Sequence, residues 1–112
     1  MSKGFLWFCQ NNNETDYVEL SISLARSIKK FNKENNVCVI TDTKTKIDSS
    51  DIDVVKVLTH DESETDDIKW GNEYKAFSMS PFTHTIKLAA DMLWTKNTDW
   101  WWYSLWKHDM IF

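Results

Sequence analysis

GFLWFCQNNNETDYVELSISLARSIKKFNKENNVCVITD, residues 4–42, decides the fold. Gly4 to Cys9 is a short continuous apolar run rich in aromatics, and it ends abruptly in amides. That pattern predicts a strand buried on both faces. Gln10-Asn11-Asn12-Asn13 reads as a loop, and Thr15 or Asp16 can cap the helix that follows. Tyr17, Leu20, Leu24, Ile28 and Phe31 recur three or four apart and form one helical face. Ser21, Arg26, Lys29 and Lys30 are expected to lie mostly away from that face. Asn35-Asn36 is expected to end the helix. Val37-Cys38-Val39-Ile40 is a second buried strand closing on Thr41-Asp42. The whole is a βαβ unit, so the two strands should be parallel with a right-handed crossover.

Outward from this unit the pattern continues. Thr43 to Ser50 is a polar connection, and Ile52 to Leu58 reads as a third strand, at an edge. Asp61 to Asp67 is an acidic run expected to be a solvated loop; it lacks the spacing and glycine of a calcium-binding loop. Trp70 to Met79 can form about two helical turns with Tyr74 and Phe77 on one side, and Pro81 cannot easily extend them. Ser80 to Leu93 then leads through a strand over Thr85 to Leu88 to a single acid, Asp91. Asn97-Thr98-Asp99 resembles an N-cap cluster, with Asp99 the simplest cap, ahead of an apolar helix from Trp100 to Trp106. Asp109 to Phe112 reads as the start of another strand. A helix apolar nearly all round needs neighbours on several sides. Further sequence, an oligomer or a partner is therefore expected against Trp100–Trp106. The fold class is α/β, a Rossmann-like αβα sandwich with a mainly parallel sheet.

The 112 residues make a single domain, 1–112, large enough for a small core. Seventeen acids against thirteen bases give a net charge of −4, which excludes a general nucleic-acid binder with a basic face. Cys9 and Cys38 sit in apolar runs and read as buried free thiols of a cytoplasmic protein. No signal peptide or membrane-spanning run is recognisable. The seven tryptophans could stack on sugars or bases, but core packing is the simpler use.

Three loops follow predicted parallel strands at their carboxyl ends: Gln10 to Asn13, Thr41-Asp42 and Ala90-Asp91. In an open parallel sheet these ends share one rim, where a nucleotide would sit. Neither GxGxxG nor GxxxxGK[ST] is present. Asp42 could accept hydrogen bonds from a ribose or base, Asn11 and Asn12 could meet a base edge, and Lys75 could neutralise a diphosphate. For each, a solvated loop polar group is the plainer alternative. His60, His84 and His108 share no metal-ligand spacing.

The succession WFCQNN, YVELSISLARSIKKF, VCVITD, NEYKAFSMSPFTHTIKLAADML and TDWWW resembles the N-terminal half of GT-A-type glycosyltransferases. It is most similar to phage and bacterial glycosyltransferase-like proteins with an SPF…T…LDADML motif. The resemblance implies a GT-A-like, here incomplete, domain that binds a nucleotide-sugar donor, with the acceptor undefined. It implies nucleoside contacts from Asn11, Asn12, Tyr17 and Asp42, and a diphosphate contact from Lys75. A DxD motif in that family holds Mn²⁺ or Mg²⁺ against the diphosphate; by resemblance Asp91 is its last acid and the metal ligand. The triplet here is Ala89-Ala90-Asp91, so one carboxylate stands where the family uses two. The alternative expectation is a non-catalytic interaction module that keeps the sheet and docks a partner through its Trp-rich helix.

Overall fold

The computed structural model describes residues 3–63 and 70–103. Its core is a four-stranded, all-parallel sheet of β1 (Lys3–Cys9), β2 (Asn36–Thr41), β3 (Val54–Val57) and β4 (His84–Lys87). The spatial order is β3-β2-β1-β4. The chain therefore steps outward from β1 to β2 and β3, then returns to the other side of β1 for β4.

The helix α1 (Tyr17–Phe31) joins β1 to β2 and covers one face of the sheet. On that face Phe5, Trp7 and Cys9 of β1 meet Val37 and Val39 of β2, Leu24, Ala25 and Ile28 of α1, and Ile52. The 3₁₀ turn α2 (Trp70–Lys75) runs directly into the short helix α3 (Ala76–Met79), and both lie between β3 and β4. On the opposite face Leu6, Phe8, Cys38, Ile40 and Leu58 pack with Ala76, Met79 and Phe82. A reversal of strand order with right-handed crossovers places successive helices on opposite faces. The molecule is a compact α/β domain with elements packed on both faces of a parallel sheet.

β1 and β2 are buried along almost their whole length, as their uninterrupted apolar runs predict. Because side chains alternate, Cys9 and Cys38 fall on opposite faces of the sheet and cannot pair. Both are free, and burial pushes each thiol up to about 11. Gly4 sits where β1 passes under Phe82; a Cβ there would come within 2.5 Å of the ring.

Several expected details shift. The buried stripe of α1 is Ser21, Leu24, Ala25 and Ile28, while Leu20 is 37% exposed. Ser21 belongs to the core because the buried indole of Trp7 needs an acceptor, and Trp7 Nε1 donates to Ser21 Oγ at 3.0 Å. The helix ends at Asn32, earlier than Asn35-Asn36. Lys29 is not a solvated lysine: its Nζ bridges the Asn35 carbonyl at 2.8 Å and the Asp53 carboxylate at 2.7 Å. Asp16, not Thr15, caps the helix. Trp70 to Met79 is mostly 3₁₀, and only its last four residues are α-helical. Ser80 is extended, as a residue before proline prefers, and this ends α3.

After β4 the chain folds back over the α1 face. Trp94 and Trp102 are buried there, edge-on or tilted against Phe5 at 4.9 and 5.5 Å. The Trp94 amide donates to Ser27 Oγ, and Asn32 exchanges hydrogen bonds with Thr98. Asp99 uses its carboxylate to hold Asn32, Asn35 and Asn97, and not simply as a cap. The core reading of the tryptophans holds for Trp94 and Trp102, whereas Trp100 and Tyr103 are exposed. The rest of the expected Trp100–Trp106 helix, the strand at Asp109 to Phe112 and most of the acidic run lie outside the described residues. Among the described residues no helix is long and apolar enough to cross a membrane.

Candidate functional site

All four strands point the same way, so their carboxyl ends form one rim. Gln10 and Asn11 follow β1, Asp42 follows β2, His60 and Asp61 follow β3, and Asp91 follows β4. β4 pairs only as far as Lys87 opposite Leu6, but the chain stays beside β1: the Leu88 amide donates to the Leu6 carbonyl at 2.8 Å. Ala90 shares its core group with Cys9. Asp91 thus comes out level with the end of β1, exposed, in a turn closed by the Met92 amide on the Ala89 carbonyl. The sheet reverses its strand order between β1 and β4, and Asn11 and Asp91 flank that point.

The sequence-predicted residues have internal work as well. Asn11 Oδ1 accepts from the Tyr17 and Val18 amides at 2.7 and 3.3 Å, so it closes the N-terminus of α1 together with Asp16. This fixes the orientation of the amide, with Nδ2 pointing away from the helix end. Asn12 Oδ1 accepts from the Glu14 and Thr15 amides. Tyr17 is half-buried at the first turn and packs against the core on the α1 face.

Asp42 is not an open acceptor. It is buried, and Oδ1 takes the Lys44 and Thr45 amides at 3.0 and 2.8 Å while Oδ2 takes Gln10 Nε2 at 3.1 Å. This is a turn in which the aspartate mimics backbone, and the sequence Asp42-Thr43-Lys44-Thr45 carries its signal. Thr45 is held in turn: its Oγ1 accepts from the Asn11 amide and its carbonyl accepts from Thr41 Oγ1. Asp42 therefore builds the floor of the rim.

A buried polar network that sequence reasoning missed lies beside this floor. Asn72, fully buried in α2, donates from Nδ2 to Gln10 Oε1 at 3.1 Å, Asp61 Oδ1 at 2.8 Å and Ser63 Oγ at 3.3 Å. Its Oδ1 accepts from the Glu62 amide at 2.9 Å and Lys75 Nζ at 3.2 Å. Gln10 links Asn72 to Asp42 and reaches Asp61. Lys75 also donates to the His60 carbonyl at 2.6 Å and pairs with Glu62 Oε2 at 3.2 Å. Residues separated by up to 62 positions meet here, and no local periodicity encodes such pairs.

Burial opposes ionisation of Asp42, but bonds from Gln10, Thr45 and Lys44 outweigh it and hold the carboxyl below its usual range. At Asp61, desolvation is likewise outweighed by Ser63, Asn72 and Gln10, and the carboxyl is held well below that range. Both acids bind protons more weakly folded than unfolded. Their stabilisation is complete above the unfolded value near 3.8 and is lost as pH falls through the folded values. The thermal midpoint should therefore decline on acidification below about pH 4. Asp61→Asn should flatten that decline, and a profile identical to the parent's would remove Asp61 from the coupling.

The donor set for a metal is narrow. Among the described residues no three His, Cys, Asp or Glu side chains group as metal ligands. Asp91 offers one exposed carboxylate, and Ala89 offers none. Among the described residues Asp91 is thus a single carboxylate ligand, and an ion there would also draw on oxygens brought by a ligand. No protein-family model, no curated protein and no solved structure matches this chain.

Proposed function

We propose that the domain binds a nucleotide-diphosphate sugar at the rim between β1 and β4, in the manner of a GT-A-type glycosyltransferase. The supporting observation is the strand order β3-β2-β1-β4, whose reversal lies between those two strands. In open α/β sheets ligands bind outside the carboxyl ends at such a reversal. Asn11, oriented by the end of α1, would present its Nδ2 hydrogens to base or ribose oxygens. Asn12 and Tyr17 would border the nucleoside, Asp42 would hold the floor, and Lys75 would face the diphosphate. Transfer of the sugar to an undefined acceptor is the activity this arrangement would serve. Mn²⁺ or Mg²⁺ beside Asp91 would supply charge neutralisation on the departing diphosphate.

Calorimetry with UDP or GDP, with and without Mn²⁺, tests this reading. Saturable binding is expected, strengthened by Mn²⁺, and Asp91→Ala should remove the Mn²⁺ increment, about tenfold in Kd, a typical coupling magnitude. Binding that ignores the substitution would take Asp91 out of the site. No binding of any nucleotide would end the proposal.

One observation favours a second reading, an interaction module without chemistry. Leu93, Trp100 and Tyr103 are 63%, 60% and 79% exposed, beside a motif reduced to one acid. Exposed apolar surface of this kind often marks a partner site. Sedimentation showing a clean monomer at high concentration would count against it.

A further inference from the structure

We infer that the Glu62 carboxylate occupies an anion subsite built by Lys75, Tyr74 and His60, and that the diphosphate of a ligand enters by displacing it. The inference rests on the nucleotide-diphosphate reading for the identity of the incoming anion. Two donors of different kinds converge on this one side chain, and an imidazole stands beside it. Lys75 Nζ lies 3.2 Å from Glu62 Oε2, the Tyr74 hydroxyl donates to the same oxygen, and His60 Nε2 lies 4.0 Å from Oε1. An ammonium, a phenol and an imidazole around two oxygens suit a phosphate group as well as a carboxylate.

The surroundings of Lys75 show which partner can leave. Among the described residues its other acceptors are the His60 carbonyl and the amide oxygen of fully buried Asn72. Both are uncharged and belong to the framework. Glu62 is the charged partner and lies on the solvent side, its side chain 38% exposed against 16% for Lys75. An external anion therefore meets the ammonium where Glu62 now sits.

The backbone of Glu62 is fixed by the framework, while its side chain is held only by the groups of the subsite. Its amide donates to Asn72 Oδ1, and its carbonyl lies so close to Gly71 that a Cβ there would come within 2.2 Å of it. Exchange then needs only rotation of the Glu62 side chain, with the loop left in place. The hold is mutual: Tyr74 and Lys75 draw the Glu62 carboxyl below its usual range, and Glu62 pushes the Tyr74 hydroxyl up.

Metal-free calorimetry with inorganic pyrophosphate and with UDP, on the full chain, tests the displacement. Glu62→Ala, with Glu62→Gln as a second variant should the first fold poorly, is expected to bind pyrophosphate about tenfold tighter than the parent, the scale of releasing one charge-assisted hydrogen bond. Adding Lys75→Met should abolish the gain. Glu34→Gln removes the same charge from the opposite end of the sheet and should change nothing. Equal pyrophosphate affinity in parent and Glu62 variants, or an equal gain in Glu34→Gln, would overturn the inference. UDP binding that is the same in parent and Glu62 variants would also overturn it while leaving the nucleotide reading intact. Tighter pyrophosphate binding with no UDP binding by any variant would support the displaced carboxylate and refute the nucleotide reading.

Discussion

Asn72→Ala is expected to destabilise the domain by about 2–4 kcal/mol, because two or more buried polar groups lose their partners at once. Asn72 has no exposed surface, and its amide joins Gln10, Asp61 and Ser63 on one side to the Glu62 backbone and Lys75 on the other. Alanine leaves Gln10 Oε1 buried without its donor and the Glu62 amide without its acceptor. Lys75 keeps the His60 carbonyl and Glu62 but loses an inner partner. The same change weakens the hold on Asp61, since Asn72 is one of the donors that keep its carboxyl ionised. Asn72→Ala should therefore be less stable at neutral pH and also less sensitive to acid. Asn72→Asp separates shape from charge. It keeps an acceptor for Lys75 and the Glu62 amide but turns a donor into an anion facing Asp61. It should be at least as damaging near neutrality and should recover partly as the pH is lowered. Denaturant unfolding across a pH series measures all of this. A loss below about 0.5 kcal/mol for Asn72→Ala, the range of ordinary surface changes, would show that the network is not a structural hub.

The contrast between these residues and the strands explains what the sequence made legible. Phe5 to Cys9 and Val37 to Ile40 are apolar at every position because both faces of the central strands are covered. A continuous run carries that information locally. α1 was legible from its spacing, but the rotation of its buried stripe was not, because Ser21 is buried to serve Trp7 in another element. Asp42 was legible as a rim residue, but its part in the turn was not read, although Asp-Thr-Lys-Thr is a recognisable turn sequence. The meeting of Gln10, Asn72 and Asp61 was not legible for a different reason. Polar contacts between distant segments leave no period, and an isolated amide in a short 3₁₀ turn looks like surface until the fold closes over it. Asp99 misled in the same way: its neighbours in sequence fit a cap, but its long-range partners Asn32 and Asn35 lie in the turn after α1.

Phe5→Ala is expected to cost about 3–5 kcal/mol, a large share of the 5–15 kcal/mol that holds a typical domain together. Phe5 is fully buried in the central strand, opposite Val37 on one side and Ile86 on the other. Its ring is the surface on which Trp94 and Trp102 rest. Removing the phenyl group opens a cavity beneath two indoles and forfeits their edge-on and tilted contacts. The indole nitrogens of Trp94 and Trp102 are buried with no hydrogen-bond partner among the described residues, so packing is what holds these rings. The effect should extend to the rim. Asp91 sits between β4 and Trp94, and Trp94 fixes the far end of that segment through the core and the hydrogen bond its backbone N–H donates to Ser27 Oγ. Phe5→Ala should thus expose tryptophan, seen as a red shift in emission, and raise protease cleavage near Ala89 to Leu93. Phe5→Leu, which keeps most of the volume, should cost less than about 1.5 kcal/mol and leave emission nearly unchanged. Trp100→Ala gives the sharpest comparison. That ring is edge-on to Trp101 but 60% exposed, so its loss should cost no more than about 0.5 kcal/mol. If Trp100→Ala proved as destabilising as Phe5→Ala, the aromatic cluster would be held together from its outer side. The segment carrying Asp91 would then depend on whatever covers Trp100 instead of on β1.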